Sequence, residues 1–143
     1  MPFEMGWYIK NEIVYMNLIG DVTEEEFNAG VDKLNQWTEE VGKTLDIIAD
    51  NRQLESYSRL ASLVNVETPD EPGWLIIIGL DHPVMRFIVS AASQILRLKL
   101  KRVADETEAI AVLKRVLPQH ADQYHTPFAD YVTWEHGETI TDA

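Results

Sequence analysis

"WLIIIGLDHPVMRFIVSAASQILRLKLKRVADETEAIAVLKRV", residues 74–116, decides the fold because four elements follow one another in it without a break. Residues 74–80 are a short, β-branched apolar run behind Gly73, the pattern of a strand covered on both faces. Asp81 and Pro83 then give a helix its N-cap and first turn. Along 83–98, Arg86, Ser90, Ser93, Gln94 and Arg97 share one polar stripe, about 100° wide at helical spacing. Val84, Phe87, Ile88, Ala91 and Ile95 form one apolar flank; Met85, Val89, Ala92 and Leu96 form a second. A helix lying on a sheet needs one such stripe. The surplus flank therefore calls for the chain's own tail, a second copy of the chain, or an apolar ligand. Leu98 and Leu100 alternate with Lys99 and Lys101, the period of a strand with one wet face, its lysines guarding a sheet edge. Asp105, with Glu108 three residues on, starts a last helix; Ala109, Ile110, Leu113, Val116 and Leu117 face inward and Pro118 stops it.

Working outward from this block, strands alternate with helices, which implies crossover connections and a mostly parallel sheet. "WYIKNEIVYMNLIG", residues 7–20, reads as two strands joined at Asn11-Glu12. Thr23 and Glu26 make a capping box, and Phe27, Val31, Leu34 and Val41 give the helix behind it a buried stripe, with Gly42 as its stop. "LDIIAD", residues 45–50, is a buried strand. Residues 51–73 read as a loop with a weak helical turn over 59–64, broken by Pro69, Pro72 and Gly73. The expected fold is α/β: a four- or five-stranded mixed sheet with an opening β-hairpin and helices mainly on one face. Residues 1–118 form the domain and 119–143 an acidic aromatic tail. That tail carries five acids and no Lys or Arg, yet Tyr124, Phe128, Tyr131 and Trp134 predict that it packs as far as Trp134.

Composition narrows the function. The chain has 143 residues, a formal charge of −12 and 45% hydrophobic content, which suits one folded domain and argues against nucleic acid as a partner. With no cysteine there is no disulfide, thiolate metal site or Cys nucleophile. The first ten residues lack the pattern of a secretory signal, and no apolar run approaches the roughly 20 residues of a membrane span, so a cytoplasmic location is expected.

Few residues offer chemistry. His120 and His125 lie five apart, whereas a helical metal pair uses three or four, and no metal site or cofactor is expected. Asp50 and the pair Asp81-His82 fall at C-terminal ends of strands, where open α/β sheets bind ligands. Turn-making and capping explain them more simply. The glycine-rich, nucleophile-elbow and zinc-protease signatures are absent, so no catalytic residue is assigned and an enzyme is not expected. The candidate ligand or partner contacts are Asp50, Arg52, Ser58, Asp81, His82, Met85, Val89 and Leu96. Arg97, Lys99, Lys101 and Arg102 hold four of the twelve basic residues and suit an edge guard or an acidic partner.

Three stretches, "IVYMNLIGDVTEEEF", "LDIIADNRQLESY" and the block from Gly73 to Val116, together resemble the STAS-like superfamily, in particular the SpoIIAA-like anti-sigma-factor-antagonist domains. The resemblance covers roughly residues 7–118. It implies a non-enzymatic protein–protein interaction or regulatory module. The distant CRAL-TRIO relation implies the alternative, a binding or carrier protein for an apolar or lipid-like ligand. The antagonists' Asp-Ser-Ser-Gly phospho-switch is missing: the matching region is "DNRQLESYSRLASL", with Ser56 and Ser58 but no glycine. The fold carries over and the switch does not. The expected partner is a protein, with a second copy of the chain in a homodimer as one option.

Overall fold

A computed structural model of the chain describes residues 3–57, 73–79 and 99–134. Six strands form one sheet. They are β1 (Phe3–Ile9), β2 (Ile13–Val22), β3 (Asp46–Tyr57), β4 (Trp74–Ile78), β5 (Lys99–Val103) and the two-residue β6 (Thr133–Trp134). The order across the sheet is β5-β4-β3-β2-β1-β6. Strands β2 to β5 run parallel, β1 pairs antiparallel with β2, and β6 pairs antiparallel with β1. The α/β class with a mixed sheet is thus as expected, with one strand more than the four or five anticipated. Strand β6 is too short to leave a periodic signal. It docks because Gly6 opposes it: a Cβ there would sit 2.4 Å from Val132 Cγ1 and 2.7 Å from the Thr133 oxygen.

The opening hairpin turns through residues 10–12, with Asn11 at φ 64°, a left-handed conformation that asparagine tolerates. Helix α1 (Glu24–Val41) has the expected capping box: Thr23 Oγ1 accepts from the Glu26 amide, and Glu26 Oε1 from the Thr23 amide. Gly42 closes it in the left-handed region, its N–H donating to the Thr38 oxygen. Helix α2 (Glu106–Val116) is capped by Asp105, whose Oδ1 accepts from the Glu108 amide, while Glu108 reaches back to the Ala104 amide.

Two cores fill the two faces. Strand β2 feeds both by alternation. Ile13 and Tyr15 point to one side, with Ile48, Ile76, Ile78 and the α2 residues Ala109 and Leu113. Val14, Leu18 and Val22 point to the other, with Met5, Trp7 and Leu45. Trp37, Leu34 and Val41 of α1 close this second core, Trp37 stacking on Trp7 at 4.7 Å; the Phe27 side chain lies outside the described residues. The two described helices therefore lie on opposite faces of the sheet. The reason is topological. α1 is a crossover between parallel strands, whereas α2 follows β5 and leads the chain across the other face.

Residues 118–134 complete that cover. Two short 3-10 helices, Pro118–Gln123 and Phe128–Tyr131, lead into β6. Phe128 is fully buried and Tyr124 nearly so; Tyr8 stacks against Tyr124 and meets Phe128 edge-on. Tyr124 and Phe128 thus belong to the core of the domain and Trp134 packs against it, whereas Tyr131 stays exposed.

The other difference is β3, expected over 45–50 and observed over 46–57. Residues 51–57 read as a loop because "NRQLESY" is polar and lacks alternation. The pairing with β2 explains the pattern. Its register slips between Asn17 and Ile19 and again between Gly20 and Asp21, so β3 carries extra residues in two bulges that interrupt the period of two. The expected helix over 83–98 and the turn over 59–64 lie outside the described residues.

Candidate functional site

The parallel strands bring Asp50 to the level where β4 ends, paired in register with Ile78. The first β3 bulge begins there, and bulges commonly re-aim side chains beside functional sites. Asp50 is 3% exposed. Its Oδ1 accepts from the Arg52 amide at 3.0 Å and Arg52 Nε at 2.9 Å. Its Oδ2 accepts from the Tyr15 hydroxyl at 2.6 Å and Arg52 Nη2 at 2.6 Å. A carboxylate offers about four acceptor positions, and all four are taken. Arg52 Nη2 also donates to Glu106 Oε2 at 2.8 Å, and Glu106 Oε1 accepts from the Phe128 amide at 2.6 Å. One unbroken chain of bonds therefore runs from β2 through β3 and the first turn of α2 into the tail.

The electrostatics follow from this geometry. Burial pushes the Asp50 carboxyl up, but the Arg52 guanidinium, the Tyr15 hydroxyl and the Arg52 amide outweigh it and hold the group below the usual carboxylate range. Tyr15 is pushed far up, by burial first and by its bond to the Asp50 carboxylate second. Arg52 is raised further by its bond to Asp50. The proton map is therefore fixed: an ionised aspartate, a neutral tyrosine and a charged arginine. Asp50 has no acceptor position left for a substrate proton, and the Tyr15 proton is engaged with Asp50. What the cluster does is orient Arg52, whose side chain is 38% exposed, as the one member facing out.

Gly79, just past β4, makes room for this arginine. Its φ is +77°, and a Cβ there would lie 2.5 Å from Arg52 Cγ. Its amide donates to the Val103 oxygen at 2.9 Å, closing β4 against β5. Next to Asp50, Asn51 is also buried, and its Oδ1 has no partner among the described residues.

Of the eight residues singled out from the sequence, the structure brings Asp50 and Arg52 into direct contact. Ser58, Asp81, His82, Met85, Val89 and Leu96 lie outside the described residues. Tyr15 and Glu106 were not anticipated as their partners. Tyr15 reads as one more strand aromatic and Glu106 as a first-turn helix acid; only their three-dimensional neighbours distinguish them. Among the described residues no three His, Asp or Glu side chains are placed to hold a metal ion. The cleft of about 230 Å³ lined by Trp7, Lys10, Asn11, Trp37, Glu40 and Val41 opens on the α1 face, away from Asp50. No described helix is long and apolar enough to cross a membrane. No protein-family model matches the chain, and a search of curated proteins finds no match.

Proposed function

We propose that the chain is a non-enzymatic protein-interaction or regulatory module of STAS-like type, working in the cytoplasm without the phospho-switch motif. Its first partner is a second copy of itself, and its contact surface includes Arg52. The observation that carries this reading is the complete occupancy of Asp50. A buried carboxylate with four donors on it cannot serve as a base, yet it fixes the plane of a partly exposed guanidinium at the level where β4 ends. Pre-ordering lowers the entropy cost of engaging a partner, and a planar arginine is well suited to interfaces. The strand order β1-β2-α1-β3 and the Asp at the level where β4 ends are in keeping with the family resemblance.

Sedimentation velocity of the wild type and of Arg52→Lys tests the reading. It predicts a wild-type dimer that weakens about tenfold in the variant, the loss of one charge-assisted contact. A variant that associates as tightly as the wild type overturns the assignment of Arg52.

A further inference from the structure

Residues 124–134 have little regular structure of their own to hold them. They comprise one single-turn 3-10 helix and a two-residue strand, paired as Gly6 with Trp134 and Trp7 with Thr133. A segment with so few backbone ladders belongs to the weaker end of the local-stability range. Yet it buries Phe128 completely, against Tyr8 and Tyr15. Its polar anchors are few; at its start the Tyr124 hydroxyl donates to the Leu117 oxygen at 2.7 Å. The Tyr8 hydroxyl accepts from the His125 amide at 2.6 Å and donates to the His125 oxygen at 2.9 Å. The Phe128 amide donates to Glu106 Oε1.

That last anchor is shared. The Glu106 carboxylate, 18% exposed, holds the segment with one oxygen and Arg52 with the other. We infer that residues 124–134 form a strap whose docking is coupled to Arg52 through Glu106, so that a partner engaging Arg52 loosens the strap. The inference deepens the function proposed above and rests on it for the existence of a partner; the coupling itself is internal to the chain and is read without one.

The physical argument concerns ordering. With Arg52 in place, both Glu106 oxygens are bonded, one to Arg52 and one to the Phe128 amide, and the two bonds together restrict its side chain. If a partner's acceptor takes the place of Glu106 Oε2 on Arg52 Nη2 while the bonds to Asp50 are kept, Glu106 regains rotamer freedom. Its bond to the Phe128 amide then carries an ordering cost it did not have before. A partly buried amide that loses this acceptor has no other among the described residues, so the strap opens more often. Opening uncovers Tyr8 and Tyr15, the aromatic floor beneath Phe128, and Tyr15 is itself bonded to Asp50. Strap and contact surface thus share one network.

Hydrogen exchange of the full chain, read by mass spectrometry, tests the coupling, with α2 and β2 amides as the internal standard for global unfolding. Arg52→Ala should lower protection over 125–134 about tenfold relative to that standard, and Glu106→Ala at least as much. In the Glu106→Ala background, Arg52→Ala should add nothing. Arg52→Lys, which keeps a charge beside Asp50 but loses the fork that reaches both carboxylates, should act in the same direction if the alanine variant does not fold. Strap protection unchanged relative to the core in the Arg52 variants, or an Arg52 effect that persists undiminished without Glu106, overturns the inference. Such an outcome would leave the interaction role of Arg52 standing, because sedimentation reads that role separately.

Discussion

Tyr15→Phe removes one oxygen from the centre of the network and leaves the packing alone. The ring stays against Phe128 and Trp134, so no cavity forms. What is lost is a 2.6 Å bond to a carboxylate, with Tyr15 2% exposed and Asp50 3% exposed. Hydrogen bonds to charged groups contribute about 1.5–3 kcal/mol, and one acceptor position on a buried carboxylate is left empty, so we expect a loss of about 2 kcal/mol at pH 7. At about 4 °C per kcal/mol for a domain of this size, that is a fall of about 8 °C in Tm. The pH dependence gives a second check. Asp50 is ionised more readily when folded than when unfolded, because the Arg52 and Tyr15 bonds outweigh burial. Its contribution is therefore fully present above the ordinary carboxylate range and is lost as pH falls through its depressed folded value. The gap between wild type and variant should close over that same acid window. Urea unfolding at a series of pH values measures both. A cost under about 0.5 kcal/mol at pH 7, the range of an ordinary surface change, would refute the reasoning.

Three further outcomes follow from the same structure. Phe128→Ala should destabilise by about 3–5 kcal/mol in denaturant unfolding, since the ring is fully buried and its loss leaves a cavity. Asp46 behaves oppositely to Asp50: burial pushes it up, against the Trp74 amide bonded to Oδ1. Its charge therefore costs stability at pH 7, a cost that appears as pH rises from the ordinary range through its raised folded value. Asp46→Asn, which keeps an oxygen for Trp74, should be neutral or stabilising at pH 7 and lose any advantage in acid; a clear destabilisation at pH 7 in thermal melts would contradict this. Thr23→Ala should lower stability by about 1 kcal/mol through loss of the α1 capping box, measured by urea unfolding.

The α/β class, the opening hairpin, both capped helices and the apolar strand β4 were legible because each carries a local signal: a period, a cap or a stop residue. The second half of β3 was not, since the bulges beside Asp50 and Ser56 break the alternation by which a strand is recognised. Strand β6 was hidden by its length, and its docking depends on the missing side chain of Gly6. The placing of α2 opposite α1 is a property of the chain path and leaves no mark on either helix's own pattern. Trp37 sits between polar neighbours in "NQWTEE", so its burial against Trp7 is visible only once β1 is laid beside α1. At the candidate site, Asp50 and Arg52 could be picked out because an acid closes the apolar run of residues 45–49, although the strand expected to end there continues to Tyr57. Tyr15 and Glu106, 35 residues before Asp50 and 54 beyond Arg52, could not.

Native mass spectrometry of the freshly purified full chain tests the central claim most directly. An interaction module whose first partner is its own copy predicts a species at twice the chain mass of 16.4 kDa, without added mass. A monomer carrying a tightly held apolar adduct would contradict the account and make the protein a carrier of that ligand.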